Sequence, residues 1–213
     1  MKAIVVAGIG TGVGKTIVSA IIVEALEADY WKPVQAGKDR GTDSEQVSEL
    51  ISNKKTFFHP EVYNLSKPVS PYEGATIEGI EIDITKLKLP ETNNYLVVET
   101  AGGLMVPLTN KDLNIDMIKQ WDVPVILVSQ HYLGSINHTL LSCHVLKSYG
   151  IKLGGIIFNG EQNDAREKFI LDYTGADCIA RVSRQKRVNQ VVIKNCAGDW
   201  KEKLKAIASS ENR

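Results

Sequence analysis

Gly8-Ile9-Gly10-Thr11-Gly12-Val13-Gly14-Lys15-Thr16 follows directly on the apolar run Ala3-Ile4-Val5-Val6-Ala7. The order is strand, glycine-rich turn, helix start. Glycines let backbone N–H groups turn inward around an anion, and a helix N-terminus adds the positive end of its dipole. A lysine at 15 reaches the terminal phosphates of a nucleoside triphosphate, and a hydroxyl at 16 can ligate the accompanying Mg²⁺. The spacing predicts a phosphate loop because its helical side is present too, with apolar residues at Ile17, Ala20, Ile21 and Leu26. An ordinary strand-to-helix turn needs neither four alternating glycines nor the lysine after them.

Beyond this motif the chain alternates. Tyr30-Trp31-Lys32-Pro33 reads as a short second strand, followed by a polar loop with Gly37 and Gly41 and a helix from near Ser44. Residues 59–75 hold Pro60, Pro68, Pro71 and Gly74 and read as an irregular segment. Tyr95-Leu96-Val97-Val98 reads as a buried strand ending at Glu99-Thr100, with Ala101-Gly102-Gly103 behind it. Pro124-Val125-Ile126-Leu127-Val128 is another, ending at Ser129 and leading to a helix over residues 134–149. Gly154-Gly155-Ile156-Ile157-Phe158 is a third, stopped by Asn159-Gly160, and residues 197–213 read as a helix with a frayed end.

The strand runs are continuously apolar, as parallel strands covered on both faces are. With helices as right-handed crossovers, the expectation is an α/β fold of the P-loop NTPase type: a mostly parallel central sheet flanked by helices on both faces. Ligands then collect beyond the carboxyl ends of the strands. That rule sets residues 8–16, 32–37, 99–103, 130–137 and Asn159 along one rim.

The chain has 213 residues, 43% of them hydrophobic, enough for one full core. Its 25 basic residues balance 25 acidic ones, which gives no electrostatic case for nucleic acid or an anionic membrane. No apolar stretch approaches the length of a membrane span. The apolar start is short and runs straight into the phosphate loop, so it reads as a strand rather than a secretion signal. Cys143, Cys178 and Cys196 are odd in number and form no C-x-x-C pair, which fits a reducing cytoplasm better than a disulfide framework or zinc site. His59, His131, His138 and His144 show no metal-ligand spacing.

Three charged residues stand out on the rim. Glu99 ends a hydrophobic strand, where a carboxylate is costly unless paired with a cation; a metal on the triphosphate is one such cation, and a merely solvated acid is the alternative. Thr42-Asp43-Ser44-Glu45 has the form of a capping box, so Asp43 is either a metal ligand or a complement to the helix dipole. Lys32 lies in a short apolar strand ahead of Pro33 and Val34. It either aims its charge at phosphates or a substrate anion, or snorkels at the surface.

Taken together, these segments resemble dethiobiotin synthetase. The phosphate loop matches, as does Trp31-Lys32-Pro33-Val34-Gln35-Ala36-Gly37. Lys67-Pro68-Val69-Ser70-Pro71, Val98-Glu99-Thr100-Ala101-Gly102-Gly103 with Pro107-Leu108, and Leu133-Gly134-Ser135-Ile136-Asn137-His138 look like the family's other motifs. The resemblance implies one synthetase domain over residues 1–213 that turns 7,8-diaminononanoate, CO₂ and Mg-ATP into dethiobiotin. One amine, carried as its carbamate, attacks the γ-phosphate, and the second amine closes the cyclic urea on the resulting carbamic–phosphoric anhydride.

It also implies site residues. Lys15, Lys32 and Thr11 would be catalytic; Thr16, Asp43 and Glu99 would hold Mg²⁺. Gly12, Val13, Gly14, Ile17, Gly102 and Asn159 would join them around ATP, with Asn159 reading adenine. Ala36, Gly103, Leu133, Gly134, Ser135 and Asn137 would bind the diamine, the last four from the partner subunit of a homodimer.

The chain departs from the family pattern in three places. Ala36 stands where many members carry a hydroxyl, Thr100 replaces a glycine and is expected to crowd the phosphate approach, and Ile179-Ala180-Arg181-Val182 lacks the Ile-Pro pair that covers adenine. A partition- or septum-positioning ATPase would carry a second lysine where Gly10 stands. A cobyrinic acid synthetase would need a glutaminase domain, for which 213 residues leave no room.

Overall fold

In a computed structural model, residues 2–39 and 41–209 are described. The apolar start forms β1 (Ala3–Gly8), buried throughout. The phosphate loop delivers the chain into α1 (Lys15–Leu26). Then come β2 (Asp29–Trp31), β3 (Val34–Ala36), α2 (Asp43–Leu50), β4 (Phe58–His59), β5 (Tyr63–Leu65) and α3 (Pro71–Glu78). The second half runs β6 (Leu96–Gly103), α4 (Asn114–Lys119), β7 (Val125–Gln130), α5 (Ser135–Ser148), β8 (Leu153–Asn159), α6 (Asp164–Thr174), β9 (Cys178–Val182) and α7 (Gln190–Ala208).

Seven strands form one sheet in the order β4-β2-β6-β1-β7-β8-β9, with every pairing parallel. One face is covered by a core containing Ile21 of α1, Ile170 of α6 and Trp200 of α7, packed on Tyr30, Val97 and Ile126. The other face carries Trp31, Val98 and Val125 against Ile115 and Ile118 of α4 and Leu146 of α5. The P-loop NTPase-type sheet expected from the sequence is therefore present, and its carboxyl edge is the rim.

Three local expectations change. The second strand leaves the sheet at Trp31, because Pro33 has no N–H to donate to a ladder. The chain resumes as β3, which pairs with β5 in a separate parallel ribbon that registers Ala36 with Leu65. Residues 59–75 are not irregular throughout: they hold β5 and the start of α3, where Ser70 caps the Glu73 N–H and Pro71 takes the first helical position. The last helix begins well before residue 197, at Gln190, and residues 210–213 of the expected tail lie outside the described residues. Among the described residues no helix is long and apolar enough to cross a membrane.

Ile21 is fully buried where α1 meets the sheet, whereas Val191 is 67% exposed at the start of α7. Ile21→Ala is expected to cost about 2–5 kcal/mol in urea unfolding, by lost transfer energy plus the cavity left behind. Val191→Ala should stay within about 0.5 kcal/mol of the parent. Equal effects at the two positions would contradict the packing described here.

Candidate active site

The phosphate loop is shaped by backbone rather than side chains. Gly14 caps α1 at a left-handed φ of 92°. A Cβ there would lie 2.1 Å from Nδ2 of Asn159, the atom that donates to the Val13 carbonyl at 2.8 Å. No side chain caps α1 and no acid sits in its first turn, so its leading N–H groups remain available to an anion. Across the cavity Gly102 is also left-handed, and a Cβ on it would meet Val106 at 2.8 Å.

The charged groups converge at the ends of β2 and β6. Lys32, only 3% exposed, places Nζ 2.6 Å from Asp43 Oδ2 and 3.2 Å from Glu99 Oε1, and donates to the Thr100 carbonyl. Glu99 is 1% exposed, so it is neither solvated nor unpaired, and Lys32 does not snorkel. Burial alone would pull the Lys32 ammonium down, but the charges of Glu99 and Asp43 outweigh it and hold the pKa above the ordinary lysine value. Burial likewise opposes ionisation of Asp43, and Lys32 overrides it, leaving the carboxyl below its usual range. Lys15 lacks such close partners. Its Nζ donates to the Gly10 carbonyl at 3.2 Å, and burial, then repulsion from Lys32, lower its pKa to about 8.

Asp43 lies in the first turn of α2, where its charge complements the helix dipole, and its carboxylate also reaches the site. The capping box exists, but Thr42 and Glu45 make it. That leaves the Asp43 carboxylate free for Thr16 and Lys32, while its own N–H is held by Gln35 Oε1 at 3.1 Å. The Thr16 hydroxyl lies 3.0 Å from both Asp43 Oδ1 and Glu99 Oε1. It has one proton to share between two anionic oxygens. Cis ligands on an octahedral Mg²⁺ with bonds near 2.1 Å sit about 3.0 Å apart, so this all-oxygen set fits a hard divalent cation. Among the described residues no three His, Cys, Asp or Glu side chains form a metal cluster on their own. Two carboxylates and a hydroxyl leave positions for phosphate oxygens and water.

A cavity of about 740 Å³ brings together Lys15, Lys32, Thr16, Asp43 and Glu99 with Thr11, Ile17, Ala36, Gly12, Gly14 and Gly102. Val13 is different: its side chain belongs to the core, so only its backbone can serve a phosphate. Gly103 pairs with Gly8 and accepts from Asn114, and does not line this cavity. Asn159 lines a second cavity of about 550 Å³, with Gln130, His131 and the turn from Val182 to Gln185. Ile17 is common to both cavities.

Leu133, Gly134 and Asn137 line neither and are exposed at the start of α5. Ser135 is 1% exposed; its hydroxyl accepts weakly from Arg166 and the Tyr132 N–H, turned into the chain rather than outward. Thr100 does not crowd the phosphate approach. Alternation along β6 puts its side chain on the face opposite Glu99, with Oγ1 toward the Val6 carbonyl.

Sequence reasoning missed three contributors: Gln35, residues 68–71 as a wall of the first cavity, and residues 182–185 as a wall of the second. Gln35 and residues 68–71 belong to segments already noted for their motifs, and Val182 ends the segment compared with the adenine-covering pair, while residues 183–185 offer no signal beyond following β9.

Comparison with known proteins gives the family. A family model described as an AAA domain matches residues 2–192. An ATP-dependent dethiobiotin synthetase of Christiangramia forsetii is 47% identical, over 95% of this chain and 98% of that protein. That of Cytophaga hutchinsonii is 46% identical, over 91% and 94%. The septum site-determining protein MinD of Pyrococcus horikoshii, solved with Mg-ADP, matches 95% of this chain and 93% of its own, with a TM-score of 0.61 at 16% identity, a likeness of fold alone. With that fold, a phosphate loop intact from Gly8 to Thr16 and close relatives aligned over nearly their whole length, the chain belongs to the ATP-dependent dethiobiotin synthetases.

Proposed function

We propose that the 740 Å³ cavity carries the family's reaction, the ATP-dependent carboxylation and ring closure of 7,8-diaminononanoate to dethiobiotin. The observation that carries this reading is the Lys32 ammonium, held between Asp43 and Glu99 beside the phosphate loop. A buried lysine at that point supplies fixed positive charge where a carbamate must approach a γ-phosphate. Lys15 does the same from the loop side, and Thr11 and the backbone around Gly102 face the same space. Preorganised charge of this kind stabilises the developing anion without reorganisation at the moment of reaction.

Thr16, Asp43 and Glu99 would hold Mg²⁺, which when bound neutralises phosphate charge and orients the transferred group. The nucleobase would occupy the second cavity, next to Asn159. A cytoplasmic, single-domain enzyme fits the three free thiols, among which burial pushes Cys143 up to about 11. Ala36 reaches the cavity without a hydroxyl, so the diamine would be held there by shape and by the neighbouring backbone.

The exposed start of α5 supports a homodimer. Gly134 caps this helix at φ 95° with no side-chain cap and no acid in the first turn. The free N–H groups suit the distal carboxylate of a diaminononanoate bound to a partner chain. Leu133, 98% exposed, and Leu141, 54% exposed, supply apolar surface for a partner to cover.

Three measurements test this reading. Phosphate release should require both diaminononanoate and bicarbonate, and Lys32→Gln should lower turnover by about 10²–10³-fold; near-normal turnover removes Lys32 from the chemistry. Nucleotide phosphates should restore full charge to Lys15. Binding at pH 8 should then take up about half a proton, and at pH 6.5, where the amine is already charged, almost none, because its unliganded pKa is about 8. Calorimetry in buffers of different ionisation enthalpy reads this directly, and Lys15→Arg should abolish the buffer dependence. Finally, inactive Lys15→Ala and Asn137→Asp proteins should regain about a quarter of wild-type sites after equal mixing, since each mixed two-fold dimer has one intact site. A fully active monomer in sedimentation excludes the shared site.

A further inference from the structure

Tyr30 is fully buried, and its hydroxyl donates to Glu99 Oε2 at 3.0 Å. Its position follows from strand register. Tyr30 pairs with Val97 in β2–β6, and alternation places Tyr30 and Lys32 on the same face as Val97 and Glu99. Trp31 points the other way, into the opposite core beside Trp121. The Tyr30 ring packs against Phe58 at 5.8 Å between centroids. For that packing a phenylalanine would serve, and an unbonded buried hydroxyl would be a loss. The hydroxyl therefore has its use in Glu99.

The two oxygens of Glu99 have different company. Oε1 faces Thr16 and Lys32, on the cavity side; Oε2 is taken by Tyr30, inside the fold. We propose that Tyr30 is a positioning residue that makes Glu99 a single-oxygen ligand, and so sets the cation preference of the site toward Mg²⁺ and away from Ca²⁺. The proposal rests on the assignment of Glu99 to the metal. The physical reason is coordination chemistry: Mg²⁺ demands a compact octahedron of single oxygens, whereas Ca²⁺ takes more ligands and readily binds both oxygens of a carboxylate. A hydrogen bond that pins Oε2 and fixes the plane of the carboxylate suits the first and handicaps the second. Burial, and then the negative charge of Glu99, keep the Tyr30 phenol well above its ordinary pKa, so it remains a donor throughout the working range.

The test is a titration of metal-dependent binding of a fluorescent ADP analogue, with Mg²⁺ and with Ca²⁺, on the parent, Tyr30→Phe and Glu99→Gln. Removing a group that orients a metal ligand typically costs 10–100-fold in affinity. Tyr30→Phe should therefore raise the half-saturating Mg²⁺ concentration by about tenfold or more and move Ca²⁺ less. The Ca²⁺-to-Mg²⁺ ratio should fall accordingly, and analogue binding in EDTA should stay as in the parent. In the double variant with Glu99→Gln, the Tyr30 change should add nothing. An unchanged ratio in Tyr30→Phe overturns the proposal, even if both titrations shift together through general loosening. If Glu99→Gln itself leaves the Mg²⁺ titration unmoved, the metal assignment fails first and this inference falls with it.

Discussion

Burying Lys32 and Glu99 together is the constraint around which the rim is arranged. A charge taken from water is tolerated only when partners replace the hydration it loses. Lys32 finds Asp43, Glu99 and a carbonyl; Glu99 finds Thr16, Lys32 and Tyr30. None of these contacts is local. Thr16 starts a helix, Tyr30 and Lys32 come from β2 and its end, Asp43 from the next helix, and Glu99 from the strand beside β2. Removing Lys32 would leave the Glu99 carboxylate buried without its cation. The cluster thus ties the first helix, the second helix and the two neighbouring strand ends to one point, the place where phosphate chemistry needs dense, fixed charge.

The sheet order supplies the rest. β1, which launches the phosphate loop, sits between β6 and β7. Glu99 is therefore on one side of the loop, and Gln130 and Asn159 are on the other. One cavity holds the Lys15, Lys32, Asp43 and Glu99 cluster; the other is lined mainly by amides, a histidine and aliphatic side chains, with Glu161 and Arg184 among them and Ile17 common to both. A ligand with a polyanionic end and a flat heterocyclic end matches that division.

Much of this was legible in the sequence because the phosphate loop and the long strands are governed by local rules. Continuous apolar runs mark β1, β6, β7 and β8, and glycine and lysine mark the loop. What escaped depends on register and on partners far along the chain. Alternation along β6 decides that Glu99 faces the site and Thr100 does not, but where a strand begins and leaves the sheet is fixed by its neighbours. The β3–β5 ribbon has only three residues in each strand and no periodicity to read. The helix after Pro71 hides behind a proline-rich composition, although Ser70 and Pro71 are a legitimate start signal. Ser135 lies within a recognisable segment, yet its hydroxyl is claimed by Arg166 of another helix.

Through Asn159 the second cavity is coupled to the phosphate loop. A Cβ at position 14 would collide with Nδ2 of Asn159, and the left-handed φ of 92° strains any side chain there whatever the space. The amide cannot go without releasing the Val13 carbonyl it holds. Two positions separated by most of the chain thus meet in one contact. A substitution at Asn159 that alters the second cavity therefore also withdraws a support of the phosphate loop.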